Sequence, residues 1–112
     1  MVASIPAGKK KHLVQLMREL DQLDGGRALP TPVEIARFWA WLRPLAGREL
    51  TLIRQTQPEV THTVRTAWRR DVNQATDHLL HNGRRFAIVE AKNVDEDNAV
   101  LEMLCVERTG GR

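Results

Sequence analysis

One short stretch decides the fold, residues 78–88, which read HLLHNGRRFAI. Asn82-Gly83 lies between two apolar runs, and both positions of a two-residue hairpin turn need a positive φ, which Asn and Gly tolerate best. The stretch therefore predicts two antiparallel strands joined by a tight turn. A second hairpin is predicted directly after it, with arms from Phe86 to Val94 and from Ala99 to Glu107, and a turn at residues 95–98.

The segments upstream of this hairpin also carry strand patterns. Glu59 to Arg70 alternates between two faces, as a half-buried antiparallel strand does. One of these faces carries Val60, His62, Val64, Thr66 and Trp68. Val33 to Leu42 is apolar on both faces, which predicts a strand between the core and a partner or second layer.

Three other segments are less regular. Residues 12–24 carry Leu13, Leu16, Met17 and Leu20 at helical spacing, so local propensity alone indicates an amphipathic helix. Residues 25–32 hold two glycines and two prolines and predict a loop. Ala46 to Gln57, closed by Pro58, predicts a short helix or a mobile loop with helical tendency.

These segments predict a mainly β fold. Five or so strands and one short α-helix inserted after the second strand suit a small antiparallel β-barrel or sandwich, since closure removes exposed edges. With 112 residues the chain fits one domain. We expect a flexible arm at residues 1–11, a single β domain at 12–108 and a flexible tail at 109–112.

Composition excludes several classes of protein. Apolar residues make up 42% and charged residues 28%, as in a soluble globular domain, and no apolar run is long enough for a membrane helix. The first residues do not have the order of a signal peptide, so we expect the protein to stay where it is made. The single cysteine fits a reducing compartment.

The sequence holds no recognisable catalytic or cofactor motif. A phosphate loop is missing, and one cysteine with four scattered histidines gives no zinc-ligand spacing. Cys105 lies in an apolar strand and predicts a buried, inert thiol. Asp95-Glu96-Asp97 predicts a solvated turn, since it lacks the glycine and distal glutamate of a calcium loop. We therefore expect no enzyme activity, no catalytic residue, no metal and no cofactor.

Arginine and tryptophan side chains are the better candidates for function. The formal charge is +3. If Arg65, Arg69, Arg70, Arg84 and Arg85 gather near one end of the sheet, they predict a contact with DNA or an acidic partner; the alternative is a solvated face. Trp39 and Trp41 share a face of a strand that is apolar on both sides, which suggests a subunit interface.

The order of features from Ala7 to Arg108 resembles the head–tail joining, or head-closure, proteins of tailed bacteriophages. A tryptophan strand is followed by Pro44-Leu45-Ala46-Gly47-Arg48-Glu49, which is similar to the family's Pro-Leu-Ser-Gly-Arg-Glu segment. A short helix, the strand at 60–65, the Gly-Arg turn at 82–86 and a final strand at 101–105 come next, in the family's order. The resemblance also favours a strand over a helix for residues 12–24, because tertiary pairing overrides local propensity.

This resemblance implies a structural neck protein of the virion. Copies would form a ring beneath a portal or adaptor protein, extend and close the DNA channel after packaging, and offer a docking surface to a tail-completion protein. Contact with packaged DNA would be weak, no membrane would be involved, and assembly would take place in the bacterial cytoplasm. Trp39, Trp41, Arg48 and Glu49 are then interface candidates.

The segment after the tryptophan strand is the implied channel gate. Its candidate residues are Gly47, Leu50, Ile53, Arg54 and Gln57. We also expect the arm and helix to order on docking. The alternative hypothesis is a small basic nucleic-acid-binding β module, supported by a pI near 9.6 but weakened by few aromatic residues for base stacking.

Overall fold

The computed structural model describes residue 5 and residues 8–108, without the side chains of Gln22 and Asp24. Apart from residue 5 and residues 8–11, the predicted arm and tail lie outside this described part. Within it the elements are β1 His12–Asp24, β2 Arg27–Pro44, α1 Gly47–Arg54, β3 His62–Ala67, β4 Asp77–His81, β5 Arg84–Asn93, a 3₁₀ turn Val94–Glu96 and β6 Val100–Arg108.

The strands close into an antiparallel barrel in the order β1-β2-β3-β6-β5-β4. The barrel is completed by β4 pairing with β1, from Gln15 opposite Leu80 to Arg18 opposite Asp77. The predicted mainly β barrel with one short helix after the second strand is therefore confirmed. The strand prediction for residues 12–24 is also confirmed, although the leucine spacing there is helical.

Alternating side chains fill the barrel. Val14 and Leu16 of β1 point inward, and so do Phe38, Ala40 and Leu42 of β2. The other strands add the rest of this core: Val64, Leu79, Phe86, Ile88, Leu101, Met103 and Cys105. A closed barrel of this size is filled by its own side chains, so it leaves no internal channel.

The two predicted hairpins are present. Asn82 and Gly83 have φ values of 50° and 77° and connect β4 to β5, as the sequence predicted. The hairpin between β5 and β6 turns through Val94–Glu96. The strand predicted from Glu59 to Arg70 is shorter and spans His62–Ala67, although the N–H of Trp68 still donates to the carbonyl of Ala99 at 3.0 Å.

The loop predicted at residues 25–32 is wrong. Only Gly25-Gly26 forms a turn, with φ values of 61° and 83°, and β2 begins at Arg27. Pro30 and Pro32 lie opposite Asp21 and Glu19 within the ladder. An edge strand tolerates proline where the missing N–H would face away from its partner, which is how this proline-rich segment can be a strand.

Part of the β1–β2 hairpin leaves the barrel. Residues 19–24 and 27–32, called the ribbon below, pair only with each other, since β4 reaches β1 no further than Arg18 and β3 meets β2 only from Trp41 to Pro44. Six residues of strand extend about 20 Å. The ribbon accounts for the elongated shape of 53 × 26 × 24 Å.

An ion pair fixes the point where the ribbon leaves the barrel. The Arg18 guanidinium donates from Nε and a terminal nitrogen to the carboxylate of Asp77, at 2.7 and 2.9 Å. The same carboxylate accepts bonds from the Asn73 N–H and the Thr76 hydroxyl. Because the Asp77 side chain is 0% exposed, this junction ties loop 68–76 to β1 from inside the structure.

Candidate interaction surfaces

An exposed apolar patch lies on the outer face of β1 and β2. Leu13 and Trp39 are register partners and are 38% and 56% exposed. Phe38 and Ala40, the neighbours of Trp39, face inward, so Trp39 must face outward. Its carbonyl is held by the Thr66 hydroxyl at 2.8 Å, so the strand that presents the indole is fixed. The patch can bury apolar surface only against another molecule.

Trp41 has a different environment from Trp39. It is half-buried, and the Arg43 guanidinium lies 5.1 Å and the Lys9 ammonium 5.8 Å from its ring centroid. Cations over an indole ring are attracted by its quadrupole. Of the two predicted tryptophan contacts, Trp39 is therefore the open one and Trp41 already has partners within the chain.

Two arginines hold α1 against the barrel by its ends. Arg43 of β2 forms a bidentate pair with Glu49 at 2.7 and 2.9 Å, and Arg54 donates to the carbonyl of Val60 at 3.2 Å. The two interface candidates on α1, Arg48 and Glu49, have different environments. Arg48 is exposed and has no ion-pair partner within the described residues, while Glu49 belongs to Arg43.

The candidate gating residues divide between the barrel and the exposed side of α1. Leu50 and Ile53 pack on a second apolar cluster formed by Leu45, Val60 and Leu104. Gln57 donates to Glu90 at 3.4 Å, whereas Gly47 is exposed at the first position of the helix. Leu52 points away from the barrel and is 57% exposed. The helix is thus a docked cover on the outside of the barrel.

The five candidate arginines do not gather at one end, so that expectation is wrong. Arg69 and Arg70 follow the end of β3, while Arg84 and Arg85 begin β5, beside the opposite end of the barrel where β6 finishes. Arg65, Arg69 and Arg84 form close pairs with Glu102, Asp71 and Glu107. Arg85 has a longer pair with Glu19 at 3.7 Å. These carboxylates therefore neutralise four of the five arginines. Among the described residues only Arg70 of the five has no partner.

Three histidines scattered in the sequence lie around Arg84, near the end of the barrel where β5 begins. The rings of His12 and His81 lie edge to face at 5.2 Å, and Arg84 lies 3.4 Å from the Nε2 atom of His62. Burial lowers the pKa of His62 and of His12, so both rings are neutral at pH 7. Cross-strand register, which sequence spacing does not show, brings them together.

No metal cluster accompanies these surfaces in residue 5 and residues 8–108. The described side chains include no group of three or more metal-ligating residues. Burial raises the pKa of the Cys105 thiol to about 12, so it is not a thiolate nucleophile at neutral pH. The described helix is also too short to cross a membrane.

Sequence comparison identifies the family. Residues 5–108 match the family described as phage head completion protein. The chain belongs to that family. This head completion protein accordingly has a structural role in closing the phage head, is associated with the virion and works together with head and tail components.

A solved structure shares the fold of this head completion protein. The solution structure of protein SF1141 from Shigella flexneri 2a has a TM-score of 0.69 and 17% sequence identity, and the match covers 95% of this chain and 99% of that one. At this identity the likeness shows the fold alone. No curated protein matches the chain.

Two further surfaces of the head completion protein were not found from the sequence. One is the ribbon, whose Leu20, Leu23 and Leu29 are 43%, 83% and 36% exposed. The other is a cleft of about 520 Å³ between loop 68–74 and the paired ends of β5 and β6. The exposed leucines were visible as an apolar pattern, but only the strand register shows that no third strand covers them.

Proposed function

We propose that this head completion protein assembles as a homo-oligomeric ring beneath the portal or an adaptor, extends and closes the DNA channel after packaging, and provides the docking surface for a tail-completion protein. The observation that carries the proposal is the exposed Leu13–Trp39 patch on a barrel whose core is already filled. Exposed apolar surface beside a complete core indicates a protein interface. Tryptophan is also enriched at interface centres.

Subunits arranged in a ring use two different surfaces, one on each side. The barrel offers such a pair, since the Leu13–Trp39 patch lies on β1 and β2, while α1 covers Leu104 of β6. On α1, Arg48 and Leu52 face solvent. Contacts on both sides are what a closed ring needs.

Gating by residues 47–57 is part of the same proposal. Movement of α1 into the channel would require the Arg43–Glu49 pair and the Arg54 hydrogen bond to open. Both are partly exposed contacts, which cost little to break. The apolar packing of Leu50 and Ile53 is then the main resistance, and docking of a neighbour on Leu52 would supply the compensating burial.

Contact with packaged DNA is proposed as weak and non-specific. Arg65, Arg69 and Arg84 are engaged with carboxylates, which leaves few free cations for phosphate. The alternative function, a nucleic-acid-binding module, requires tight DNA binding that weakens steeply with salt. Titration of a short duplex at two salt concentrations separates the two functions, because the proposed ring subunit gives only weak binding.

Electron microscopy of purified protein added to portal-bearing, tailless heads tests the ring. The expected result is a ring of extra density at the portal vertex that retains DNA and permits tail attachment. Trp39→Ser should abolish this density, while Glu59→Ser, at an exposed position outside both the patch and the ribbon, serves as its comparison. Absence of any ring at every protein concentration would contradict the proposal.

A further inference from the structure

The ribbon lacks the support that a two-stranded sheet needs. Isolated two-stranded hairpins are marginally stable in water, and independent stability takes a third strand or a packed face. Among the described residues no third strand pairs with either edge of the ribbon, and Leu20, Leu23 and Leu29 are exposed. For the ribbon to remain folded as two paired strands, another surface must cover these side chains.

The cleft between loop 68–74 and the ends of β5 and β6 has the complementary chemistry. Its floor is apolar, from Trp68, Ala91 and Leu101. Its rim carries Arg69 and Lys92, which are paired with carboxylates of their own chain, and Arg70. Arg70 is exposed and unpaired within the described residues. The Nε1–H of Trp68 is buried and finds no acceptor among the described residues. A buried donor without an acceptor costs free energy, which an incoming carboxylate would recover.

Charge makes the ribbon a fit for this cleft. Residues 19–32 hold three carboxylates, at Glu19, Asp21 and Asp24, and one cation, Arg27, so their formal charge is −2 in a chain of net charge +3. An acidic, leucine-bearing segment on an otherwise basic body favours contact between copies. The ribbon is about 20 Å long, close to the 24 and 26 Å cross-section of the molecule, so it can reach an adjacent copy.

We infer that the ribbon of one copy inserts into the cleft of the next copy, with Leu23 over the apolar floor and Asp21 against Arg70. This inference rests on the proposed ring and adds a second contact to the one proposed through the Leu13–Trp39 patch and α1. Donor and acceptor surfaces are different parts of the chain, so each copy can give one ribbon and receive one. Such heterologous contacts close into rings.

The prolines argue against direct pairing between neighbouring ribbons. Pro30 and Pro32 remove two N–H donors from the ribbon's β2 strand, so a β1 edge cannot add to a β2 edge around a ring. Pairing of two β1 edges would be symmetric and would stop at a dimer. Docking through side chains is the arrangement that remains compatible with a ring.

Thiol trapping tests the contact. Ala28 is the register partner of Leu23, and Ala91 lines the cleft, so Ala28→Cys and Ala91→Cys each add a thiol without removing a leucine or a charge. Equal amounts of the two chains are mixed, bound to portal-bearing heads and oxidised. The mixed disulfide should exceed either homodimer about tenfold, since docking raises the local thiol concentration. Glu59→Cys, at an exposed position outside the proposed contacts, mixed with Ala91→Cys is the control and should give only background.

The outcomes separate the contact from the ring. If a ring forms on the portal but the 28–91 disulfide stays at the level of the 59–91 control, the ribbon–cleft contact is overturned and the ring stands. If no ring forms and the free chains give no 28–91 disulfide, both proposals fail. Trapping of 28–28 homodimers above the mixed species would replace the contact by a symmetric ribbon pair.

Charge exchange gives a second readout. Asp21→Arg and Arg70→Glu should each weaken ring assembly on the portal about tenfold, as expected for an interfacial charge pair. The double variant should regain most of the loss. Glu59→Arg, an exposed carboxylate outside the ribbon, is the matched control for Asp21. Equal effects of Asp21→Arg and Glu59→Arg would contradict the inference.

Discussion

The two halves of β1 have similar side chains and opposite environments. Val14 and Leu16 are 1% and 0% exposed because β1 there has β2 on one edge and β4 on the other, around a filled barrel. Leu20 and Leu23 are 43% and 83% exposed because β4 ends opposite Arg18. Burial along β1 is therefore set by the strands that pair with it. The exposed surface that a partner could cover begins where β4 ends.

The largest expected difference between the halves is in core packing. Leu16→Ala should lower the free energy of unfolding by about 3 kcal/mol, through lost burial and the cavity left behind. Leu23→Ala, the same substitution in the ribbon, should change it by less than about 0.5 kcal/mol. Urea unfolding of the two variants measures both. Similar losses for both would mean that the ribbon is packed against the body in solution.

Breaking the Arg18–Asp77 ion pair, at the junction between the two halves of β1, should also lower the stability clearly. Asp77→Asn removes the charge of a buried carboxylate that accepts hydrogen bonds from Arg18, the Asn73 N–H and the Thr76 hydroxyl, which costs about 2 kcal/mol. Asp71→Asn, in an exposed pair with Arg69, should cost less than about 1 kcal/mol. Thermal unfolding compares the two. A small effect at Asp77 would show that the junction does not hold loop 68–76 to β1.

Acidification should weaken the same junction. Burial would raise the pKa of Asp77, but hydrogen bonds from Arg18, the Asn73 N–H and the Thr76 hydroxyl outweigh it and hold the pKa below its ordinary value. The stabilisation is therefore complete above the unfolded pKa of about 4 and is lost as pH falls through the folded pKa. Unfolding free energies between about pH 5 and 3 should fall less steeply for Asp77→Asn than for the unsubstituted protein. Parallel curves would contradict this assignment.

The smallest expected effect concerns α1. Glu49→Gln breaks the partly exposed pair with Arg43 and should lower stability by about 0.5 kcal/mol. Glu49→Gln should also have a local effect: the α1 amides should exchange hydrogen faster, while exchange in the barrel strands should not change. Glu59→Gln is the matched control. Unchanged exchange in α1 would mean that Leu50 and Ile53 hold the helix without the ion pair.

The sequence predicted the barrel because its signals were local. The Asn82-Gly83 turn and the alternation around Val64 depend on nearest neighbours and pairing geometry, and both were confirmed. The strand at Arg27–Pro32 was missed because prolines indicate a loop. Only the pairing shows that their missing N–H groups would face away from the partner strand. The cleft and the paired arginines depend on contacts distant in sequence, such as Arg65 with Glu102, which no spacing rule gives.

Hydrogen exchange of the ribbon amides tests the central claim most directly, since it compares the two halves of β1 in one experiment. In the free protein, amides of residues 19–24 should exchange rapidly while those of residues 13–17 are protected. In the assembled ring on the portal, both halves should be protected. Rapid exchange of residues 19–24 in the assembled ring would contradict the account, because the exposed half of β1 would then have no partner.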